Sequence, residues 1–473
     1  MRGQVLEAIL GNFLKVFSTV IAMPILVGLY YREPISGLTG FIYAFAASMI
    51  LGLVLSKKGS YKEPSAGEAI FATVMGWALA ITLGAIPFLV EINLMDAVFE
   101  AAAGLTTTGI SIFLQPENLP HSLLFWRALM QWLGGLGVLT FFIAVIRESG
   151  GVSRKLFSAE THKTDPGSIR PSLKKSIFEL WKVYIIITAF MASTYFLLGM
   201  PFFDSVAHAF SAISTGGFST SGESLAAFSQ PIQAATTVFM FLGGVNFVLL
   251  YKALNLDRSA FSNSEFKLYS KIFLVFSAFF FLEFTGSGLL TQNVLNSIFN
   301  AAAVVSSTGY GTTSLLAIST FMQFMLIGLM FVGGSLGSTS GGFKVFRLKA
   351  LIELTKTRLR SYSLPDTAIN EVKIDSEILE KSTLRTISVL FFTWALVIFS
   401  GTGLIMFIED VSFMGALSGT VSAAGNMGPV FMESGQMVNL SVPSKMVWVF
   451  VMIAGRLEML PVLAIFNRKV LSS

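Results

Sequence analysis

The chain has 473 residues, 53% hydrophobic and only 12% charged, with a formal net charge of +5 and a mean hydropathy of +0.72. Soluble domains carry roughly a quarter of their residues charged, so a single water-soluble core is excluded and the bilayer is the expected solvent. Cysteine is absent, which removes disulfides and thiolate metal sites, and the three histidines, His121, His162 and His208, are too scattered to form a metal-ligand pattern.

Ten candidate membrane helices follow in chain order, at about 4–30, 37–55, 66–90, 122–146, 177–199, 231–254, 268–290, 317–350, 384–408 and 443–467. The first starts near Val5 and runs on too far to be the roughly 7–15-residue core of a cleavable signal. With the N-terminus in the cytoplasm, the basic residues fall on one side. Lys57, Lys58 and Lys62 follow the second span, and Arg147, Arg154, Lys155, Lys163, Arg170, Lys174 and Lys175 follow the fourth. Lys252, Arg258, Lys267 and Lys271 mark the next connection, nine more lie from Lys344 through Arg385, and Arg468 and Lys469 close the chain. The opposite loops hold only Arg32 and Lys445. This asymmetry is what the positive-inside rule requires and puts both termini in the cytoplasm. The basic residues are juxtamembrane, without aromatic interleaving, so nucleic acid is not an expected partner.

Residues 1–64 read as an N-terminal transmembrane helix pair. The remainder reads as four units of helix, short re-entrant segment and helix: 65–150, 175–255, 265–360 and 384–470. The expected fold class is an all-α integral membrane protein with four pseudo-symmetric helix–pore-loop–helix repeats around one pore. The repeat signature is four glycine-ended segments: Thr106-Thr107-Thr108-Gly109, Ser214-Thr215-Gly216-Gly217-Phe218, Ser307-Thr308-Gly309-Tyr310 and Asn426-Met427-Gly428-Pro429. Asp96, Asp204 and Asn296 each lie 13 residues before the glycine, and Ala101, Ala209 and Ala301 each lie eight before it. The fourth unit departs, with Gly415 at the longer spacing, so Asp410 or Ser412 is left to start its short helix.

Asp and Asn suit helix N-caps, where a side chain satisfies free N–H groups. The ten or so residues that follow are too few for the roughly 20 that a span needs. Such a segment enters and returns, and irregular backbone at that depth survives only inside protein or beside water. Four ordinary extracellular hairpins would not explain the constant spacing. An inward-pointing helix C-terminus carries partial negative charge, which favours a cation on the axis.

A dehydrated monovalent cation needs oxygens in place of its water shell, and rings of backbone carbonyls supply them without fixed charge. Glycine permits the dihedrals that turn carbonyls inward. The candidate filter residues are Thr107, Thr108, Gly109, Thr215, Gly216, Gly217, Thr308, Gly309, Asn426, Met427 and Gly428, binding potassium through backbone carbonyls. Thr308-Gly309-Tyr310-Gly311 comes nearest to the TVGYG filter of potassium channels. No carboxylate sits in the four loops, which argues against a divalent ion.

The run from Gly333 to Lys344 interrupts the second helix of the third unit, because no helix tolerates such a glycine density at about 1 kcal/mol each relative to alanine. A phosphate-binding loop would need a preceding strand and a Gly-Lys-Thr ending, and neither is present. A re-entrant plug below the filter is a better reading than a packing kink with no gating role, with Gly334, Gly337, Ser338, Thr339, Gly341, Gly342 and Lys344 as gate residues. Arg456 lies within the last span, where a charge is costly and functional by default. It either forms a salt bridge, with Glu458 or with a residue of another unit, or sits beneath the filter as a barrier to cations. Arg127 and Glu283 read as helix-end or locally paired residues, and Gly134-Gly135-Leu136-Gly137 and Gly243-Gly244 as close-packing sites. Lys356, Arg358 and Arg360 suit anionic lipid, a regulatory partner or a simple anchor equally well.

These segments resemble the Trk/Ktr/HKT superfamily of potassium transporters, nearest to the Trk-type uptake subunit, because two helices precede the first unit. The resemblance covers essentially the whole chain. It implies potassium uptake across a prokaryotic plasma (inner) membrane by a homodimer with one pore per protomer. It also implies a cytosolic nucleotide-binding regulatory subunit. A GGSxGSTxGGxK segment is the family's intramembrane gating loop, and the family counterpart of Arg456 lies near it. No covalent cofactor is expected; potassium is the substrate. Channel-like flux and symport coupled to protons or sodium both remain open, although the predicted spans hold no obvious acidic relay. A membrane enzyme would need convergent catalytic groups, and none is visible.

Overall fold

The computed structural model describes residues 2–60, 64–148, 173–285, 289–363, 365, 371–375 and 377–467. Of the basic residues that orient the chain, Lys62, Arg154, Lys155, Lys163, Arg170, Arg468 and Lys469 lie outside the described residues, as do His162 and the side chains of Arg147, Lys174 and Lys175.

Two long helices, α1 (Gly3–Tyr30) and α2 (Ile35–Lys58), come first. Next are α3 (Ala66–Ala85), the short α4 (Leu94–Leu105) and α5 (His121–Glu148). The long–short–long order recurs in α6 (Leu173–Leu197), α7 (Phe202–Ile213) and the pair α8 (Gln230–Gly243) and α9 (Phe247–Leu254). It recurs again in α10 (Ser264–Phe284), α11 (Leu290–Val305), α12 (Thr320–Val332) and α13 (Val345–Ser361). A two-stranded hairpin, β1 (Lys373–Ile374) against β2 (Glu377–Ile378), pairs Lys373 with Ile378. The last set is α14 (Lys381–Ile408), α15 (Phe413–Gly425), α16 (Ser434–Val438), α17 (Val442–Arg456) and α18 (Met459–Ala464).

Among the described residues, five helices are long and apolar enough to cross a bilayer, and α8 with α9, bent by 112°, passes as a sixth. Their outer faces expose large apolar side chains such as Phe399 and Phe407, as lipid demands. The four short helices have 12, 12, 16 and 13 residues, below the length of a span. Among the described residues the interior forms two apolar clusters: one gathers mainly α1–α5 with α13–α18, the other mainly α6–α12. The alanines at constant spacing, Ala101, Ala209 and Ala301, are fully buried, which explains why a small residue recurs there.

Helix starts follow capping chemistry, with one correction to the sequence reading. The cap of α4 is Asn93, whose side chain accepts from Asp96 N–H at 3.0 Å. Asp96 and Asp204 stand in the first turns of α4 and α7, where a negative charge meets the helix dipole. Asn296 lies within α11. Ser412 caps α15, accepting from Gly415 N–H at 3.1 Å. Two expected spans are broken. The 231–254 stretch bends at Gly244–Asn246, where the Asn246 side chain starts α9 by accepting from Val248 N–H at 2.7 Å. The 443–467 stretch breaks at Leu457–Glu458, with Glu458 at φ 68°.

Candidate functional site

Each short helix ends in the same backbone device: two positive-φ residues two positions apart. They are Thr107 (56°) and Gly109 (77°), Thr215 (54°) and Gly217 (80°), Ser307 (59°) and Gly309 (77°), and Asn426 (50°) and Gly428 (97°). A β-branched residue in this region is an outlier, costing on the order of 1–3 kcal/mol unless its surroundings impose it. Helix-end bonds impose it here. The N–H groups of Thr108 and Gly109 both reach Ala103 O, at 2.9 and 3.2 Å, and those of Thr308 and Gly309 both reach Ala303 O, at 2.9 and 3.1 Å. Gly216 N–H reaches Ser211 O at 2.8 Å and Met427 N–H reaches Ser422 O at 3.0 Å. The last helical carbonyls, otherwise unsatisfied, are thereby paired.

The four loops close on one another in order. A β-carbon on Gly109 would overlap the carbonyl oxygen of Gly216, one on Gly217 that of Thr308, and one on Gly309 that of Met427. One on Gly428 would lie 3.2 Å from the carbonyl oxygen of Thr108. Each glycine therefore abuts the central carbonyl of the next loop, and the fourth returns to the first. The ring is braced by side chains. Gln131 donates to Gly216 O at 2.7 Å and accepts from Phe218 N–H at 3.1 Å. Tyr310 donates to Phe218 O at 3.1 Å. Asn426 donates to Thr108 Oγ1 at 2.9 Å and to Met452 O at 3.0 Å.

Arg127 proves to be a long-range brace rather than a helix-end residue. Its Nε meets Glu100 Oε1 at 2.8 Å, buried on both sides, while its other nitrogens donate to Ser219 O at 3.0 Å and Ser111 Oγ at 2.9 Å. Glu100 also accepts from Ile112 N–H at 2.8 Å, and the guanidinium lies 4.2 Å from the Phe218 ring centroid. The first and second loops are locked together on the residues that follow their glycines. Glu283 instead receives Ser319 N–H and Oγ at 2.6 and 2.8 Å.

Against the C-terminal ends of the short helices lies the segment from Gly333 to Lys344, buried among described elements. It begins and ends on positive φ, at Gly333 (68°) and Lys344 (84°). Its polar groups are tied to three of the four units. Thr339 Oγ1 donates to Ile213 O and Gly243 O at 2.8 and 3.1 Å, and Ser335 N–H reaches Gly244 O at 2.9 Å. Gly243-Gly244 thus does more than permit close packing: its freed carbonyls receive the loop. Glu265 Oε1 accepts Leu336 N–H and Phe346 N–H at 2.7 and 3.1 Å. Gly341 N–H reaches Ser307 Oγ at 2.7 Å, and Lys344 Nζ turns back to Ser340 O.

Arg456 reaches backbone carbonyls of the loop and of α5. Its Nη1 donates to Thr339 O at 2.7 Å and its Nη2 to Gly134 O at 3.1 Å. No carboxylate pairs with it among the described residues; Glu458 forms a two-pronged pair with Arg347 at 2.8 and 2.9 Å. A cavity lies between the loop and the last span, lined by Ser338, Gly341, Lys344, Asn426 and Arg456.

Every candidate filter residue therefore falls on the ring, and every candidate gate residue on or against the loop. Sequence reasoning missed Gln131, Glu100, Glu265 and Asn246, whose roles depend on partners distant in the chain, and placed Ser307 in the third segment without foreseeing its bond to the loop.

The TrkH family model, described as "Cation transport protein", matches residues 38–282 and 286–473. The chain is 28% identical over 491 residues to the Trk system potassium uptake protein TrkH of Salmonella typhimurium and 27% identical to that of Escherichia coli, covering 99% of both chains in each case. The crystal structure of the potassium transporter TrkH from Vibrio parahaemolyticus superposes with a TM-score of 0.90 at 25% identity, over 99% of this chain and all of that one.

Proposed function

The chain belongs to the TrkH family of cation transport proteins, a family of membrane transporters rather than enzymes, and we propose that it conducts potassium into the cell through the ring of four glycine loops. The observation that carries this reading is the cyclic packing of Gly109, Gly217, Gly309 and Gly428, each against the central carbonyl of the next loop. A ring of carbonyls replaces the hydration shell of a monovalent ion. The names of its relatives in Salmonella and Escherichia coli support potassium as that ion.

In this account residues 65–150, 175–255, 265–360 and 384–470 are four pore repeats, with 1–64 as an added pair. The Gly333–Lys344 loop blocks the path on the cytoplasmic side, and Arg456 holds it there while presenting a positive charge to arriving cations. The membrane potential, at about 2.3 kcal/mol per charge per 100 mV, drives the ion inward. The termini lie in the cytoplasm, in keeping with the one-sided Lys and Arg distribution. Two copies assemble with one pore each, and a cytosolic nucleotide-binding subunit acts on the loop.

The test is potassium influx into liposomes carrying the purified protein, read with a potassium-sensitive dye at an inside-negative potential and with sodium and proton gradients abolished. Influx that persists supports a potential-driven pore. Influx that appears only when one of those gradients is restored contradicts it.

A further inference from the structure

Four residues take the left-handed conformation at the base of the ring, and they are not held alike. Asn426 belongs to a residue type that visits this region readily. Thr215 Oγ1 donates to the adjacent Ser214 O at 2.7 Å, a purely local bond. Ser307 differs, because its hydroxyl bonds the intramembrane loop. Ser307 Oγ accepts Gly341 N–H at 2.7 Å and shares a hydrogen bond with Ser340 Oγ at 2.7 Å. Ser340 Oγ in turn accepts Gly334 N–H at 2.9 Å. The hydroxyl pair thus bridges both limbs of the loop to the third segment of the ring. All of these atoms are buried, so water offers no replacement while the loop is seated.

Two neighbouring contacts point the same way. A β-carbon on Gly341 would overlap Gly425 O, next to the left-handed Asn426, and Thr339 Oγ1 rests on Ile213 O at the end of α7. One short stretch, Thr339–Gly341, touches the base of three of the four ring segments. Displacing the Ser340–Gly341 stretch would strip the Ser307 hydroxyl of both partners at once.

We infer that Ser340 is a positioning residue for ion discrimination: through Ser307 it holds the third loop in its selective conformation, so that the loop which blocks the path also sets the filter's selectivity when seated. This rests on reading the ring as the filter and deepens it. Loop displacement then changes which ions pass, as well as how many. The Ser307–Ser340 bond supplies the coupling, because it joins a residue two positions from Gly309 to the hinge-like pair Gly333-Gly334.

The test is a double-mutant cycle on the purified full-length protein in liposomes, with Ser340→Ala, Ser307→Ala and the double variant, reading the potassium-to-sodium permeability ratio from reversal potentials. Each single change is expected to lower the ratio on the order of tenfold, which corresponds to about 1.4 kcal/mol. The double variant should fall no further than the lower single, since one bond is removed once. A ratio unchanged in both single variants, with flux alone increased, overturns the inference and leaves the loop as a simple obstruction. Independent, multiplying losses overturn it equally. Should Ser340→Ala fail to assemble, Ser307→Ala approaches the same bond from the ring side and decides alone. Gly217→Ser, measured in parallel, separates this from the underlying reading: if it too leaves the ratio unchanged, the ring is not the filter.

Discussion

Asn426 Nδ2 donates to Thr108 Oγ1 at 2.9 Å across 318 positions of sequence, and this bond closes the ring between its last and first segments. It is the side-chain counterpart of the approach of Gly428 to the Thr108 carbonyl. The fourth segment departs most in sequence, with Met427 where the others have threonine or glycine. It keeps its place because Asn426 tolerates positive φ and spends its amide on Thr108 and Met452.

Asn426→Ala is therefore expected to loosen the ring. Leaving those buried partners unpaired costs about 1–3 kcal/mol, and alanine adds the penalty of the left-handed backbone. A lower thermal midpoint in detergent and a reduced potassium-to-sodium ratio are predicted together. An unchanged midpoint and ratio would show that the fourth segment is held by other means.

The Arg127–Glu100 pair carries a larger stake. Removing one partner of a buried, hydrogen-bonded ion pair costs about 3–5 kcal/mol because the other charge is stranded, and Glu100 is fully buried. Arg127→Ala is predicted to reduce assembled protein sharply, and Arg127→Lys to recover little, since one ammonium cannot reach Glu100, Ser111 and Ser219 together. Size-exclusion profiles of the solubilised variants report this, and a wild-type profile for Arg127→Ala would refute it.

Much of this site was legible in the sequence, for a physical reason. Positive φ selects glycine, so Gly109, Gly217, Gly309 and Gly428 announce themselves; the glycine density of 333–342 does the same for the loop, and the cost of a buried charge does so for Arg456. The breaks at Gly244–Asn246 and Leu457–Glu458 were not legible. Their residues read as helical, and the bends are set by distant contacts, Gly244 O receiving Ser335 N–H and Glu458 meeting Arg347. The acidic residues at constant spacing were mistaken for caps. Asp96 is retained by Lys445, at 2.5 Å, and Asp204 by Thr220, at 2.7 Å, pairings invisible to local reasoning.

Arg456→Gln tests the hold on the loop. The amide keeps some bonding to Thr339 O but loses the charge and the reach to Gly134 O. Basal potassium flux is predicted to rise several-fold, with assembly intact. Flux at the wild-type level in well-assembled protein would contradict the proposed role of Arg456 in holding the loop.

Gly341→Ala acts on the same loop without altering charge. Its new methyl group would collide with Gly425 O, and because both sides are backbone, the loop must shift rather than a side chain yield. Raised basal flux is predicted here too, together with faster proteolysis within the 333–344 segment. Flux and cleavage both at wild-type rates would show that the segment absorbs the methyl group in place.

The central claim is that the four-glycine ring selects potassium, and the reversal potential of Gly217→Ser beside the wild type tests it most directly. Gly217 abuts Thr308 O at φ 80°, so a side chain there displaces the carbonyl it faces. The account predicts a wild-type reversal that follows the potassium gradient and a variant reversal shifted towards the sodium equilibrium value. An assembled, conducting Gly217→Ser protein that reverses where the wild type does would contradict it.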